Sequence, residues 1–368
     1  MPANLSPEYK QAEAEYRKAR ETKDRLRWLH EMLRTIPKHK GTEHLQADIK
    51  TRIKQLTEES AGPRKGAARG GPPQAVHPEG AAQVALIGPP NAGKSSLLAK
   101  LTGAHTDIGP YPFTTKTPIP GMLPHEDIHF QLVDLPPVSR DFMEPWYVNA
   151  LQSADAAFLV VDLADPECID HVVAIRERLD ERKVTLEETW PYPPADVGEA
   201  PSGRAAETTR AKAAVATARR PAPAGDPAED EVPDPFRVHL PTLLLANKCD
   251  LDPDPQEVGV LEEIVGVRYP AVAVSSTSGE GLPSLGPMLF RGLGIVRVYT
   301  KAPGRPADED RPYTLRAGAT IADVARLVHR ELAAGLKFAR VWGSAQFEGQ
   351  QVGPEHVVRD RDVVELHS

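Results

Sequence analysis

Cysteine is nearly absent: the 368 residues contain two, Cys168 and Cys249, in unrelated contexts. That excludes a disulfide framework and a cysteine zinc site, and it makes a reducing cytoplasm the expected compartment. Long apolar runs are missing as well. No stretch approaches the roughly 18–20 residues that span a bilayer, so no membrane association is expected. The opening MPANLSPEYKQAEAE shows no basic-then-apolar signal pattern. Proline, by contrast, is plentiful at 37 residues, about twice its usual share, and implies long irregular segments. With 40% hydrophobic and 26% charged residues, the chain can still build a packed core, and a wholly disordered polymer is excluded. Its length suits two or three domains.

The net charge of −8 is unevenly spread. Residues 1–80 carry sixteen Lys and Arg against eleven Asp and Glu, a surplus of five, which leaves −13 on the rest. A basic N-terminal piece on an acidic body hints at an anionic partner such as RNA. The plainer alternative is a solvated helix face of mixed charge.

Residues 7–36 read as one helix, with Leu26, Leu29, Leu33 and Ile36 at three- and four-residue spacing and Pro37 as the breaker. A second helix carries Leu45, Ile49, Ile53 and Leu56, so residues 1–60 are expected to form a helical hairpin. A Gly/Pro/Arg linker follows over 61–80. From there β and α signals alternate to about residue 294. The strands 84–88, 128–134, 156–162 and 242–248 are continuously apolar, as in a mostly parallel sheet covered by helices on both faces. Helices are expected at 94–103, 142–153, 167–183, 255–265 and 282–292. Residues 191–235 hold nine prolines and four large apolar residues, too few to offset ordering entropy, and read as a disordered insertion with at most a short helix over 205–219. Residues 295–368 read as a small mixed sheet crossed by one helix, TIADVARLVHREL, which opens with a Thr320–Asp323 capping box.

Gly88-Pro89-Pro90-Asn91-Ala92-Gly93-Lys94-Ser95 matches G-x-x-x-x-G-K-[ST] between an apolar strand and a helix. In that context the backbone amides of the loop and of the first helical turn, through Ser96, cradle phosphates. Lys94 reaches the terminal phosphates, and the Ser95 hydroxyl binds Mg²⁺. Asn247-Lys248-Cys249-Asp250 ends an apolar strand about 150 residues later. A carboxylate such as that of Asp250 accepts both guanine N–H donors, which adenine lacks, so the pattern selects GTP over ATP. Asn247 would help hold both the base and the phosphate loop. Asp134, at a strand end, suits the Mg²⁺ water shell. Thr114 and Thr115 lie where a mobile loop would bring a hydroxyl to Mg²⁺ and the γ-phosphate. Ser275 and Ser276 lie where a backbone amide could meet guanine O6.

Together GPPNAGKSS, YPFTTKTPIPG, DLP, NKCD and SSTSGEGL resemble the five guanine-nucleotide motifs of the Obg-like GTPases. IPKHKGTEHLQADIKTRIKQL is similar to the N-terminal hairpin of the developmentally regulated GTP-binding (DRG) subfamily, and the stretch from RVYTKAPGRP to RDVVELH resembles the TGS domain that ends those proteins. The resemblance implies a P-loop GTPase domain with a C-terminal ubiquitin-like β-grasp domain. It further implies GTP hydrolysis to GDP with Mg²⁺, and association with the ribosome or other RNA, with the TGS-like domain as a further surface for a protein partner. It makes Thr115 the magnesium threonine. It also likens Asn91 to the asparagine that binds K⁺ in potassium-activated members, which places Lys94, Thr115 and Asn91 in the hydrolytic machinery.

Two features depart from the family pattern. Its third motif, D-x-x-G, reads Asp134-Leu135-Pro136-Pro137, and Pro137 has no N–H to give the γ-phosphate. The insertion at 191–235 stands where relatives carry a folded subdomain. The expectation is a Mg²⁺-dependent, slow GTPase; the alternative is a non-hydrolysing guanine-nucleotide-dependent RNA- or ribosome-binding module.

Overall fold

In the computed structural model of the chain, the described residues are 6–19, 22–37, 42–60, 76–103, 117–140, 142–162, 164–192, 234–251, 268–308 and 311–368. Most of the linker, the insertion apart from its two ends, the 255–265 and 205–219 helices, and Thr114 and Thr115 lie outside them. The described residues fall into two compact units. One holds residues 6–60 with 234–237; the other holds 76–192 and 238–368.

Among its described residues the first unit has three helices: α1 (Pro7–Lys18), α2 (Thr22–Thr35) and α3 (Glu43–Ser60). The single helix expected over 7–36 is therefore two. Ala19 is extended at the break, and α1 folds back so that Ser6 Oγ donates 3.0 Å to the carbonyl of Thr35. The reversal packs Tyr9, Ala12 and Tyr16 against Leu29, Met32 and Ile36, two matched sets at three- and four-residue spacing. Ile49 and Leu56 of α3 complete this core. One straight helix would leave the tyrosines in water, and a fully buried large side chain is worth about 1.5–3 kcal/mol.

The second unit begins with a seven-stranded sheet. Its strands are β1 (Gln83–Ile87), β2 (Ile119–His125), β3 (Ile128–Asp134), β4 (Ala156–Asp162), β5 (Val184–Glu187), β6 (Val238–Asn247) and β7 (Ala271–Ala273). The order is β2-β3-β1-β4-β6-β5, with β7 also on β6, and only β2–β3 is antiparallel. Neighbouring residues of each central strand enter opposite cores: Leu86, Phe158 and Val160 on one face, Ile87, Leu159 and Val161 on the other. Helices α4 (Lys94–Thr102), α5 (Tyr147–Leu151), α6 (Cys168–Asp180) and α7 (Leu285–Gly292) cover these faces. The helix expected over 142–153 shrinks to α5. Ser139 and Phe142 close a turn, Ser139 N–H to the Phe142 carbonyl at 3.0 Å and Phe142 N–H to Ser139 Oγ at 3.2 Å, which holds the backbone out of a helix.

A second sheet follows, with strands β8 (Ile295–Thr300), β9 (Tyr313–Arg316), β10 (Phe338–Trp342), β11 (Gln350–Val352) and β12 (Asp362–His367) in the order β11-β10-β12-β8-β9. Helix α8 (Ile321–Val328) packs across it, with its capping box in place: the N–H of Thr320 donates 2.8 Å to Asp323. The expected single helix stops at His329, which is extended; its ring accepts the N–H of Glu331 at 3.2 Å and caps a short second helix, α9 (Arg330–Gly335).

The two sheets meet through Arg297, a buried residue on β8. Its guanidinium pairs with Asp360 at 2.7 Å, with Asp127 at 2.7 Å and with Glu126. Glu126 and Asp127 form the turn of the β2–β3 hairpin, and Tyr299 donates to Asp127. The guanidinium also sits 4.8 Å from the ring centroid of Phe290. The bonds it donates to Asp360 first, and then those to Glu126 and Asp127, push the Arg297 pKa further up.

Candidate nucleotide site

Chain reversal between β1 and α4 sets the site. Gly88 leaves the sheet so tightly that a Cβ on it would lie 2.4 Å from the carbonyl oxygen of Val160. Pro89 and Pro90 continue the turn, exposed Asn91 has a positive φ of 59°, and Gly93 has a φ of 91° just before α4. A Cβ on Gly93 would lie 2.2 Å from Asn247 Nδ2, so the close approach of the two motifs requires glycine.

Lys94 is buried, and its ammonium donates to the carbonyls of Gly88 at 3.0 Å and Pro89 at 2.9 Å. Burial lowers its pKa to about 8, against the opposing pull of the Asp134 carboxylate. Ser95 Oγ donates 2.5 Å to Asp134 Oδ2, joining the first turn of α4 to the end of β3. Ser96 follows on the same turn, half-buried.

Asn247 is fully buried at the end of β6 and ties two loops together. Its Nδ2 donates 2.8 Å to the Ala92 carbonyl, and its Oδ1 accepts the Ser276 N–H at 3.3 Å. Ser275, also buried, accepts the N–H groups of Thr277 at 3.1 Å and Ser278 at 2.9 Å, which fixes the loop that presents Ser276. Lys248 has a positive φ of 66° and pairs with Asp162 at 2.5 Å. Asp250 stands exposed in a short 3₁₀ turn, Cys249–Leu251. The structure thus brings Gly88 to Ser95, Asp134, Asn247 and Ser276 into one bonded cluster at the carboxyl ends of β1, β3 and β6, the edge where open α/β sheets bind ligands. Thr115 lies outside the described residues.

Three features escaped the sequence reading. Asp162 pairs with Lys248 because β4 and β6 run parallel in a register that sets Asp162 beside Asn247; the matching ends AAFLVVD and TLLLAN were the available signal. The Val138 N–H donates 3.2 Å to the Gly88 carbonyl, so the segment after the double proline docks on the phosphate loop. Tyr147 is buried in the core that also contains Leu135, the residue after Asp134, and Val138. Sequence offered no signal for either of these last two.

A family model described as 50S ribosome-binding GTPase matches residues 83–189, and the TGS domain model matches residues 296–368. Developmentally-regulated G-protein 1 of Arabidopsis thaliana is 30% identical over 363 residues, covering 91% of this chain and 88% of that one. The chain belongs to the developmentally regulated GTP-binding (DRG) proteins. A GTP-binding protein of Halobacterium salinarum is also 30% identical to this DRG chain, over 92% of it and 96% of the relative. Among solved structures, a GTP-binding protein from Pyrococcus horikoshii OT3 aligns at 16% identity with a TM-score of 0.46, covering 78% of the DRG chain and 99% of its own. By the two matching family models the fold is a P-loop GTPase domain followed by a TGS domain, and guanine nucleotide is the ligand class of the site. Among the described residues no helix is long and apolar enough to cross a membrane.

The donor set suits Mg²⁺. Among the described residues no three His, Cys, Asp or Glu side chains cluster as a metal cage. What is present at Ser95 and Asp134 is one hydroxyl and one carboxylate, the sparse oxygen set that Mg²⁺ combines with water and substrate phosphates.

Proposed function

We propose that this DRG-family chain is a Mg²⁺-dependent GTP-binding protein that hydrolyses GTP slowly to GDP and phosphate and acts on the ribosome or other RNA. The observation that carries the reading is the buried Asn247 joining the phosphate loop to the Ser276 loop, beside the paired Ser95 and Asp134. In this reading the loop amides and Lys94 hold the phosphates, Asp250 and the Ser276 amide read the guanine, and Ser95, Asp134 and Thr115 hold the metal ion. Bound Mg²⁺ would supply charge neutralisation at the β- and γ-phosphates. Lys94 would leave the Gly88 and Pro89 carbonyls for phosphate oxygens, and Asn91 would help seat a K⁺ ion where positive charge favours the transition state.

Phosphate release measured in K⁺ and in Na⁺ tests the reading. Slow turnover that is faster in K⁺ supports it, and equal rates remove Asn91 from that role. A second reading is favoured by Pro137 and by the Val138–Gly88 contact: a guanine-nucleotide-dependent binding module without hydrolysis, which zero turnover in both salts would establish.

The basic surplus of residues 1–80 and the ribosome-binding description of the matching GTPase family support an RNA or ribosome partner. Phosphate neutralisation makes such binding fall with salt, by a log–log slope of about 0.7–0.9 per contact. Deleting residues 1–80 should lower that slope; salt-independent association would point instead to a protein partner, for which the TGS domain is the candidate surface.

A further inference from the structure

Tyr147 opens α5, the five-residue helix after the third motif. Its side chain is fully buried among Ile87, Leu135, Val138 and Met143. Phenylalanine would fill that space equally well, yet the residue is tyrosine, and its hydroxyl is buried with no hydrogen-bond partner among the described residues. Buried polar groups without partners are rare in folded proteins, and each asks for a reason.

The surroundings supply one. The Asp134 carboxylate lies near enough to push the Tyr147 hydroxyl pKa up further, after the larger effect of burial. Leu135 of the same core directly follows Asp134, which puts that carboxylate beside the core the hydroxyl enters. The same segment is short of donors: Pro137 has no N–H, and the Val138 N–H is already given to Gly88. Helix α5 is a single turn and a half, so a small shift of it breaks little regular structure.

We propose that Tyr147 is a positioning residue for Asp134: its hydroxyl donates to that carboxylate when the phosphate site is loaded. The inference rests on the reading of Ser95 and Asp134 as the Mg²⁺ site. Carboxylates that hold metals are themselves held by hydrogen bonds, and loss of such a partner typically lowers metal affinity 10- to 100-fold.

The test is the Mg²⁺ concentration that half-maximally retains a fluorescent GDP analogue, measured with the full chain and with Tyr147→Phe, beside the melting temperature of each. The expected result is a midpoint about 10-fold higher in the variant, with a melting temperature unchanged or raised, because the substitution removes an unpartnered buried hydroxyl. An unchanged midpoint overturns the proposal and leaves Tyr147 as core filling. A double-mutant cycle guards against an indirect effect: in an Asp134→Asn background, Tyr147→Phe should shift the midpoint no further, and an undiminished shift there also overturns it. A wild-type protein indifferent to Mg²⁺ would bring down the metal-site reading itself, which is a different failure from a Mg²⁺-dependent protein that ignores Tyr147→Phe.

Discussion

The N–H of Val138 donates 3.2 Å to the carbonyl of Gly88, tying the residue after Pro136-Pro137 to the first residue of the phosphate loop. Lys94 reaches the same carbonyl at 3.0 Å. The third motif is thus anchored to the loop at a point where it offers the phosphates no amide, since residue 137 has none to offer.

Pro137→Gly is expected to give that amide back. A hydrogen bond to a charged group is worth about 1.5–3 kcal/mol, and a ligand shifts an equilibrium only by its differential contacts. The affinity ratio of a non-hydrolysable GTP analogue over GDP should therefore rise by about 10-fold or more. A wild type that already strongly prefers the triphosphate, with no change in the variant, would mean another group makes the contact.

Asp250→Asn is expected to relax base choice. In the proposed site the carboxylate would pair with both guanine donors and an amide would match only one, costing about 1.5–3 kcal/mol in GDP binding. Competition titrations with ATP and GTP decide it, and equal competition by the two in the unmutated protein would remove Asp250 from base selection.

Asn247→Ala removes a buried amide that serves two loops. It leaves the Ala92 carbonyl and the Ser276 N–H without that partner. A loss of about 2–4 kcal/mol in stability is expected, with weaker nucleotide binding, because each abandoned buried group costs about 1–3 kcal/mol. Thermal melts with and without GDP separate the two effects.

Lys94 carries a pH signature. Its pKa of about 8 in the free protein lies below the ordinary 10.5. The folded protein therefore holds fewer protons than the unfolded chain between those values, and this residue's contribution to stability rises with pH across that window. Bound phosphate favours the charged ammonium, so nucleotide binding should take up about half a proton at pH 8 and weaken at higher pH. Calorimetry in two buffers of different ionisation enthalpy measures the uptake; none at pH 8 would show that Lys94 keeps its charge throughout.

Arg297→Met breaks a buried cation away from three carboxylates. Removing one partner of a buried ion-pair network costs about 3–5 kcal/mol. The melting temperature should fall sharply, with GDP affinity at the distant loop changed much less. A small loss of stability would show that solvent replaces the guanidinium easily.

Much of this was legible in the sequence. Strands 128–134 and 156–162 appear with the expected bounds, because continuous apolar runs between turn residues leave few options. The phosphate-loop and NKCD residues were recognisable because phosphate and guanine demand particular groups at particular spacings. What failed to show was tertiary. The break at Ala19 has no glycine or proline to mark it; it exists because Tyr9 and Tyr16 gain burial by folding back. Strands β2 and β5 were missed because Pro120, Pro124 and a four-residue length disguise edge strands. In the site, the Lys248–Asp162 pair and the Val138–Gly88 bond depend on strand order, which no local pattern encodes.

The placement of Ile295 and Arg297 bears on how this chain could have been assembled from parts. The TGS match begins at residue 296, yet Ile295 is buried in the core of the GTPase sheet, and Arg297 closes its contacts on the β2–β3 turn. A recombination event that joined a foreign TGS domain at this boundary would leave Glu126 and Asp127 facing each other without their cation, and would uncover Phe290. Strand β8 thus carries contacts of both sheets, so the two domains, separable as sequence families, are fastened together through Ile295 and Arg297.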